Sequence, residues 1–577
     1  MAKPYHWLLL WMSITVAGCD SPSEPTSAPK SQPIIAKDAI ASAHPLATDA
    51  GMEILANGGN AFDAAIAVAA VLGVVEPYSA GIGGGGFWLI HRASDGKEVM
   101  IDAREKAPLA AHRDMYLDAS GKVDRDKATH TPLAAGIPGQ AAAFAHLAEN
   151  YGALPLTKSL QAAIHYAETG FTVDEVYLGR AEYNAKVFAR YPESQQIFTN
   201  GGELKTGDKV VQKDLANTLQ TLAQQGKAGF YQGAIAKQLV TGVAAAGGIW
   251  TLEDLKQYQV VERQPIRAQY QNATVVSVPP PSSGGIAIAQ MFSMLSHLQL
   301  EPLNELQRTH LLIEVMRRAY RDRAEHLGDS DFYPVPVKKL LDPRYNESLV
   351  DNLSHNHATP SSDLPAAVPP PSGINTTHLS VLDRYGNYVA ATLSINTSFG
   401  SGFTVPGTGV LLNNEMDDFS AKPGSPNAYG LVGNEANAIE PGKRPLSSMT
   451  PSFLEIGSGD QKKIAILGTP GGSRIITMVF LGMLEALADK PPKDWVARPR
   501  FHHQYLPDTV FFEKDAFSES QRAQLAALGH ELKELNRQYG NMHAILWDQS
   551  KQQVSAAADP RNIGKASVAP SSTIKSH

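Results

Sequence analysis

A threonine that follows a breakable loop is the residue of this sequence best suited to covalent chemistry. In the run Asn375-Thr376-Thr377-His378, the first threonine would begin a strand. A threonine hydroxyl is a weak nucleophile unless a base lies beside it, and cleavage just before the threonine would supply its own α-amine as that base. Residues 354–375 are rich in Pro and Ser and poor in apolar side chains, which is typical of a mobile linker. Cleavage between Asn375 and Thr376 is therefore one way in which this segment could make Thr376 a nucleophile.

A second hydroxyl is predicted to face Thr376 across a hairpin. The residues Arg384-Tyr385-Gly386 suit a three-residue connection with glycine in the left-handed position. Counting back from this turn places Thr376 opposite Ser394, and cross-strand neighbours lie about 5 Å apart at Cβ. Ser394 would then orient the nucleophile. Spacing alone favours ordinary strand residues at both positions, because threonine is common in sheets.

Three later segments add groups that could bind a substrate. Residues 413–419 place three carboxylates after an apolar strand, and residues 445–449 place two hydroxyls in a tight turn. Residues 468–473 connect a strand to a helix, where successive N–H groups form a nest suited to an oxyanion. Each segment alone also fits a structural role, as solvated carboxylates, a capped turn or a strand-to-helix loop. Together with the threonine-led strand, the three segments favour a catalytic site.

Other motifs in the chain are rejected as cofactor or metal sites. The run Gly81-Ile82-Gly83-Gly84-Gly85-Gly86 matches G-x-G-x-x-G, but a dinucleotide site needs a strand before it and a helix after it. Here an Ala-rich helix precedes the glycines and an apolar strand follows them. His502-His503 and His355-x-His357 lack a third ligand at a suitable spacing, and no P-loop or H-E-x-x-H occurs. We therefore expect no cofactor and no metal.

The composition describes an acidic, folded protein with a single cysteine. The 577 residues are 43% hydrophobic and 19% charged, and at roughly 150 residues per domain they would allow about four domains. A net charge of −7 argues against a nucleic-acid partner, which normally requires a basic surface. One cysteine excludes a disulfide framework, a thiolate zinc site and an iron–sulfur cluster.

The single cysteine, Cys19, ends a segment with the features of a secretory signal. A basic start, the apolar residues 7–16 and the small residues Ala17 and Gly18 precede it, and the apolar run is shorter than the roughly 20 residues of a membrane span. Small residues ending at a cysteine resemble the lipobox of bacterial lipoproteins, in which the cysteine becomes the lipidated N-terminus. An ordinary signal peptide with a chance cysteine is the alternative. Residues 1–18 are thus the predicted signal peptide and Cys19 the predicted lipidation site, and Asp20 resembles the signal for retention in the inner membrane.

The rest of the pattern predicts a tether and the elements that position the candidate site. Residues 19–35 are rich in Pro and Ser, and no later window reaches the roughly 18 uninterrupted apolar residues of a membrane span. We therefore expect an exported, soluble body that only a lipid holds to the membrane. Residues 156–298 are mostly helical in pattern. The other predicted elements are helices over 47–75, with a break at 58–60, and over 305–327, with solvated charges, and strands over 87–91, 98–102, 376–383 and 387–396.

Segments spread over residues 36–565 together resemble the γ-glutamyltranspeptidase (glutathione hydrolase) family of N-terminal nucleophile hydrolases. The matching segments are residues 57–65, 81–86, 102–108, 279–285, 376–378, 413–419, 443–451, 468–474, 497–502 and 559–561. The resemblance implies an α+β fold, a four-layer αββα sandwich, in place of four domains. It also implies that a large chain, residues 36–375, and a small catalytic chain, residues 376–577, share one core and stay together as a heterodimer.

The resemblance also implies an activity. A family member cuts itself before the threonine, whose hydroxyl then attacks the γ-glutamyl amide of glutathione or of related γ-glutamyl compounds. The γ-glutamyl group passes to water or to an amino-acid or peptide acceptor, without a cofactor. The implied roles are catalysis for Thr376 and Ser394, oxyanion binding for the N–H groups of Gly471 and Gly472, α-carboxylate binding for Arg104, Ser447 and Ser448, α-ammonium binding for Asn396, Glu415 and Asp418, and a lid for Tyr429.

The sequence departs from the family pattern at two positions. Ser394 stands where family members carry threonine, which keeps the hydroxyl but fixes its orientation less, and Ala103 replaces an aromatic residue. Asn427-Ala428-Tyr429-Gly430 resembles the lid loop, which favours a transpeptidase over the lidless cephalosporin-acylase relatives. An acylase of the same fold and a non-catalytic lipoprotein that binds γ-glutamyl peptides are the alternatives. The predicted location is the periplasmic side of a bacterial inner membrane.

Overall fold

The computed structural model describes residues 1, 34–301, 303–364, 376–422, 428, 433 and 435–570. The predicted signal peptide, Cys19, most of the tether, Asn375 and Tyr429 lie outside the described residues, as does the end of the predicted linker. These assignments therefore stay predictions, as do the domain boundaries. In the described part, no helix combines the length and the apolar character that crossing a membrane requires.

The described residues form twenty α-helices, most of them before Thr376. They are α1 Pro45–Ala56, α2 Ala61–Val75, α3 Arg125–Thr129, α4 Gln140–Asn150, α5 Leu156–Ser159, α6 Gln161–Thr169, α7 Glu175–Tyr183, α8 Ala185–Phe188, α9 Pro192–Thr199, α10 Lys213–Gln225, α11 Lys227–Tyr231, α12 Gly233–Ala245, α13 Leu252–Gln257, α14 Gly284–Ser296, α15 Glu305–His326, α16 Val337–Leu340, α17 Pro343–Ser348, α18 Ile475–Leu487, α19 Pro492–Ala497 and α20 Glu519–Ala527. Asn60 accepts hydrogen bonds from the N–H groups of Phe62 and Asp63, and Asp63 accepts one in return from the Asn60 N–H. This capping box begins α2, so the predicted break at residues 58–60 is confirmed.

The strands of the described residues belong to two large sheets and three small ones. They are β1 Ala39–Ser42, β2 Gly85–Arg92, β3 Lys97–Ala103, β4 Phe171–Thr172, β5 Lys209–Val210, β6 Val261–Arg263, β7 Ile266–Tyr270, β8 Ala273–Ser277, β9 Thr377–Leu382, β10 Tyr388–Ser394, β11 Thr404–Val405, β12 Val410–Leu411, β13 Ser452–Ile456, β14 Lys463–Gly468, β15 Phe501–His502, β16 Val510–Glu513, β17 Leu532–Leu535, β18 His543–Asp548, β19 Gln553–Ala558 and β20 Lys565–Val568. Strands β4 to β8 interrupt the region predicted to be mostly helical.

The two large sheets stack face to face, with helices on both outer faces. The seven-stranded sheet has the order β20-β1-β9-β10-β2-β3-β6, and the six-stranded sheet has the order β19-β18-β14-β13-β8-β7. Strands β9 and β10 contact β14 of the second sheet, while α2 packs on their other face and α14 and α18 pack on the second sheet. The predicted αββα sandwich is confirmed, because each sheet buries one face against helices and the other against its neighbour.

Strand β2 shows how this layering follows from the sequence. Trp88 and Ile90 pack in the core between the first sheet and its helices. Phe87 and Leu89 pack in the core between the two sheets. Successive side chains of a strand point to opposite faces, so a strand that is covered on both sides must be apolar at every position. The continuous apolar run after the glycine turn is therefore a strand of an inner layer.

The β9–β10 hairpin has the predicted register. Leu382 pairs with Tyr388 and Thr377 pairs with Leu393, and Gly386 in the connection has a φ of +85°. Every residue of both strands is buried. The ladder, extended by one residue, places Thr376 opposite Ser394.

The charged side chains in the middle of α15 are mostly buried, so the prediction of a solvated charged face holds only near the ends of the helix. Glu314 accepts hydrogen bonds from Arg317 at 3.3 Å and from Arg318 at 2.6 Å, and all three side chains are almost fully buried. Asp322 accepts hydrogen bonds from Gln290 at 2.6 Å and from a tyrosine hydroxyl at 3.0 Å. Buried charges need such partners, because an unpaired charge in the interior costs several kcal/mol. A count of charges along a helix does not distinguish solvated groups from groups that pair with one another.

Replacing Glu314 by alanine should lower the free energy of unfolding by about 3–5 kcal/mol, because buried Arg318 would lose its carboxylate partner and buried Arg317 would keep only its pair with Asp508. The change is measured as the shift of the denaturant or thermal unfolding transition. The matched control is Glu305→Ala at the exposed start of the same helix, which should cost at most about 1 kcal/mol. Equal losses for the two variants would contradict the buried network.

Candidate active site

Thr376 lies directly before β9 and is largely buried, with 5% of its surface exposed. Ser394, the residue opposite, ends β10 and accepts a hydrogen bond from the backbone N–H of Asn396 at 2.7 Å. A hydroxyl has one donor and two acceptor positions, so this bond holds the Ser394 oxygen and leaves its O–H available for donation. The arrangement suits a group that orients the Thr376 hydroxyl.

A small cavity beside Thr376 collects most of the predicted site residues from distant segments. Its volume is about 20 Å³, which is room for roughly one water molecule. The predicted residues that line it with Thr376 are Arg104, Ser394, Asn396, Glu415, Asp418, Ser447, Ser448 and Gly472. Gly471 precedes this last glycine in the chain but is not part of the lining.

Arg104 is the buried cation of this cavity. Its guanidinium pairs with the carboxylates of Glu415 and Asp418, and its Nε donates to a backbone carbonyl oxygen at 3.1 Å. Burial opposes the charge, but Glu415 and Asp418 outweigh that effect and raise the pKa of Arg104. Burial raises the pKa of Glu415 to about 7, against the opposing influence of Arg104. The cavity therefore holds a positive guanidinium and carboxylates within hydrogen-bonding distance of one another. These opposite charges match the two charged groups of a zwitterionic ligand.

Two further charged residues of the site were not predicted. Glu105 is fully buried with its carboxylate 3.6 Å from the Arg104 guanidinium, and burial, followed by the charge of Glu415, raises its pKa well above the usual range. Arg323 donates to the hydroxyl oxygens of Ser283 at 3.0 Å and Ser448 at 3.3 Å. Arg323 therefore places a positive charge next to the hydroxyl of Ser448, which lines the cavity. Glu105 lies in residues 102–108, one of the segments that resemble the family, whereas nothing in the sequence indicated that Arg323 on α15 would lie at the site.

A turn at the start of α18 supplies the candidate oxyanion donors. The turn follows β14, and Gly471 and Gly472 have φ values of +151° and +57°. A side chain at Gly471 would be strained by this positive φ and would also require the terminal methyl of Met478 to move, which favours glycine there. Within the described residues, neither glycine N–H donates to a backbone or side-chain acceptor. Free N–H groups at a helix start beside the nucleophile are suited to a developing oxyanion.

The rejected glycine motif has a structural role under the site. A Cβ added at Gly84 would lie 2.1 Å from the carbonyl oxygen of Ser394, so the glycine allows the two backbones to approach closely. Asn413 holds the same turn, since its amide donates to the carbonyl oxygens of Gly83 at 2.7 Å and Gly136 at 2.8 Å. The glycine run thus packs the first sheet against the segment that carries the carboxylates.

The third carboxylate of the acidic segment, Asp417, points elsewhere. It accepts hydrogen bonds from the N–H of Ala428 at 2.8 Å and from Arg125 at 3.2 Å, and burial raises its pKa to about 7. It is not part of the cavity lining. Asp417 therefore holds Ala428, the residue before the predicted lid residue Tyr429.

Several histidines of the described residues behave as packed side chains, whereas His355 and His357 are exposed. His378 lies between Thr392 at 2.8 Å and Ser380 at 3.2 Å, as expected for a strand residue, and His502 and His503 are fully buried. Among the described residues, one cluster could hold a metal by distance: His310, Glu314 and His530. Its two histidine rings are already hydrogen-bonded to each other at 2.8 Å, and its glutamate to two arginines. These contacts fit a structural network better than a metal site.

Comparison with known proteins points to one family. The family model described as Gamma-glutamyltranspeptidase matches residues 47–569. A protein of Escherichia coli (strain K12) named "Glutathione hydrolase proenzyme" is 41% identical over 538 residues, which cover 92% of this chain and 92% of that protein.

Solved structures with the same fold also match. A cephalosporin acylase from Bacillus halodurans has a TM-score of 0.81 at 27% identity, covering 95% of this chain and 98% of its own. A gamma-glutamyltranspeptidase of Helicobacter pylori has a TM-score of 0.54 at 38% identity, covering 55% of this chain and 92% of its own. The first match extends over nearly the whole fold described above.

Replacing Ser394 by alanine should slow cleavage before Thr376 by about tenfold, because the buried N–H of Asn396 would lose its acceptor and Thr376 would lose the hydroxyl opposite it. The rate is followed as the conversion of one band to two on a denaturing gel. Ser394→Thr keeps the hydroxyl and should cleave at close to the original rate. Equal rates for the alanine variant and the unchanged protein would show that Ser394 does not orient the nucleophile.

Proposed function

Because the chain belongs to the γ-glutamyltranspeptidase family, we propose that Thr376 and the residues around it carry out the chemistry of that family. The protein is a self-processing glutathione hydrolase and γ-glutamyltransferase. The observation that carries the assignment of residues is that Thr376 shares one cavity with Arg104, Glu415 and Asp418. A nucleophile next to paired charges fits a donor that carries both an α-carboxylate and an α-ammonium group.

Self-processing would create the nucleophile. The Thr376 hydroxyl attacks the Asn375 carbonyl carbon, the peptide C–N bond breaks, and the acyl group moves to the threonine oxygen as an ester. Water hydrolyses this ester and leaves a carboxylate on Asn375 and a free α-amine on Thr376. That amine is the base that the hydroxyl needs in later turnovers.

Each turnover would pass through a γ-glutamyl ester. The Thr376 oxygen attacks the γ-carbonyl carbon of glutathione while its α-amine takes the hydroxyl proton. The N–H groups of Gly471 and Gly472 bind the oxyanion, and the loss of one such donor typically costs 10²- to 10³-fold in rate. The C–N bond then breaks, the proton goes to the leaving amine, and cysteinylglycine departs. Water or an acceptor amine finally attacks the ester and regenerates the hydroxyl.

Recognition of the donor would exchange one set of ion pairs for another. The cavity of about 20 Å³ is too small for a γ-glutamyl group while Arg104 is paired with Glu415 and Asp418. The α-carboxylate of the donor then forms two hydrogen bonds with the Arg104 guanidinium, and the hydroxyls of Ser447 and Ser448 donate further hydrogen bonds to it. The two protein carboxylates, with Asn396, then receive the α-ammonium group. The buried charges thus keep partners before and after binding.

An acylase activity is compatible with the fold, but it fits the buried charges of the site less well than a γ-glutamyl donor does. The cephalosporin acylase of similar structure shows that this fold also serves amide substrates of other kinds. An acyl donor without an α-ammonium group would leave Glu415 and Asp418 without a positive partner once Arg104 turned to the carboxylate. Burial of such unpaired carboxylates is costly, which favours γ-glutamyl donors.

After cleavage, the two chains would stay together as a heterodimer. In the first sheet, β9 and β10 of the small chain lie between β1 and β2 of the large chain, and in the second sheet β13 pairs with β8. Separation would break backbone ladders in both sheets and expose both cores. This shared pairing supports a stable two-chain unit.

Thr376→Ala should abolish processing, because the variant lacks the attacking oxygen. On a denaturing gel, the unchanged protein is expected to give two bands and Thr376→Ala one band. The variant should also release no chromophore from γ-glutamyl-p-nitroanilide. Thr376→Ser is the matched control, since it retains a hydroxyl and should still give two bands. A cleaved Thr376→Ala protein, or an unchanged protein that stays as one chain, would overturn the assignment.

We further propose that Cys19 is lipidated and anchors the protein on the periplasmic side of the inner membrane. The basic start, the short apolar run and the small residues before Cys19 support this proposal, and the Pro/Ser-rich residues 19–35 suit a flexible tether.

Cys19→Ala should move the protein from the membrane fraction to the soluble fraction, because the acyl chains supply the attachment. The measurement is fractionation of cells that express each form, with activity on γ-glutamyl-p-nitroanilide as the readout in both fractions. Ser21→Ala, two residues later, is the control and should stay with the membranes. A Cys19→Ala protein that still sediments with membranes would defeat the proposal.

A further inference from the structure

A second, larger cavity also borders Thr376. Its volume is about 270 Å³, and it is lined by Glu76, Arg180 on α7, and the loop of residues 537–541. Among the described residues, Thr376 is the one that lines both this cavity and the cavity of Arg104. A group bound in this second cavity would therefore approach Thr376 from a different side than a γ-glutamyl group bound in the cavity of Arg104.

The second cavity contains two arginines that have no ion-pair partner among the described residues. Arg561, which also lines it, is paired with Glu513 at 2.7 Å and with Asp559 at 3.0 Å. By contrast, Arg180 and Arg537 form no ion pair and donate no side-chain hydrogen bond within the part of the chain that the structure describes. Burial, reinforced in part by Arg537, lowers the pKa of Arg180. Two unpaired guanidinium groups on one cavity wall are suited to a carboxylate.

Polar groups of the same walls also lack partners. The Tyr539 hydroxyl and the Asn541 side-chain oxygen are buried and form no hydrogen bond with the described residues, although both residues line the cavity. Buried polar groups are normally satisfied, so two exceptions in one cavity indicate a polar ligand. They offer one donor and one acceptor, which match a peptide bond.

Glu76 gives the cavity an opposite charge close to the nucleophile. It accepts hydrogen bonds from the hydroxyls of Tyr78 and Thr377, each at 3.0 Å, and the second of these residues follows Thr376 in the chain. Burial raises the pKa of Glu76 to about 7 despite these bonds. The cavity thus combines a carboxyl group near Thr376 with cations on Arg180 and Arg537. An amino acid or short peptide has the complementary charges, an amine and a free carboxylate.

We propose that this cavity binds the part of the substrate beyond the γ-glutamyl amide, with Arg180 and Arg537 pairing with its free carboxylate. The bound species would be cysteinylglycine as the leaving group and an amino acid or dipeptide as the acceptor. In transfer, the acceptor nitrogen bonds to the γ-carbonyl carbon while the bond from that carbon to the Thr376 oxygen breaks; the amine loses a proton and the threonine oxygen gains one. The inference rests on the proposed role of Thr376 and adds the recognition of the second substrate.

The test is a competition between two acceptors that differ in the carboxylate alone. Glycylglycine and glycylglycinamide are mixed in equal amounts with γ-glutamyl-p-nitroanilide, and the two transfer products are separated and quantified. The product ratio does not depend on how much enzyme is folded. We expect the unchanged protein to favour glycylglycine, and Arg180→Met to reduce that preference about tenfold, as the loss of a charge-assisted hydrogen bond does.

Two more variants complete the experiment. Arg537→Met, in an exposed loop, should also reduce the preference. Arg344→Met is the control, because that arginine is exposed, pairs with Asp342 and should leave the ratio unchanged. The inference is overturned if the unchanged protein shows no preference or if both cavity variants retain it. Failure of the proposed function is a different result, since the unchanged protein would then release no p-nitroaniline at all.

Discussion

The antiparallel pairing of β9 with β1 and β10 determines where the nucleophile lies. One face of β9 places Leu379 and Val381 in the apolar core against the helices. The other face places His378 and Ser380 in hydrogen bonds with Thr392 and with carbonyl oxygens of the second sheet. A slip of one residue would exchange these faces, burying polar groups without partners, so the register is strongly fixed. Thr376 inherits this precision because it precedes the first paired residue.

The buried charges around Arg104 serve the ligand more than they serve stability. Moving a guanidinium and several carboxylates out of water is expensive, and well-packed apolar residues of similar size are often as stable or more so. Glu105 illustrates the cost, since its buried carboxylate oxygens have no hydrogen-bond partner among the described residues. What the arrangement provides is a set of charges already dehydrated and already close together. A zwitterionic donor can then replace existing pairs, and the enzyme need not create new ones in water.

The sequence contained the local part of this site, and the fold adds the rest. The glycine in the Arg384–Gly386 connection and the threonine-led strand were enough to predict the register. The motifs around Arg104, Glu415 and Gly472 gave, only by resemblance, the site residues that the structure brings together and the sandwich. The burial of Arg323 could not be predicted, because a charged helix looks the same in sequence whether its groups are solvated or paired. The second cavity was equally hidden: Glu76, Arg180 and Arg537 come from three distant segments, and only tertiary packing brings them together.

The position of Thr376 between two cavities bears on how one residue can support both hydrolysis and transfer. The γ-glutamyl ester would occupy the side of Arg104, so the attacking group must approach from the remaining space, which the second cavity provides. Water can enter that space without any specific contact. An acceptor must compete with water, and an ion pair at its far end both concentrates it and orients its amine. The balance between the two reactions would therefore depend less on the nucleophile than on the walls of the cavity opposite the γ-glutamyl group.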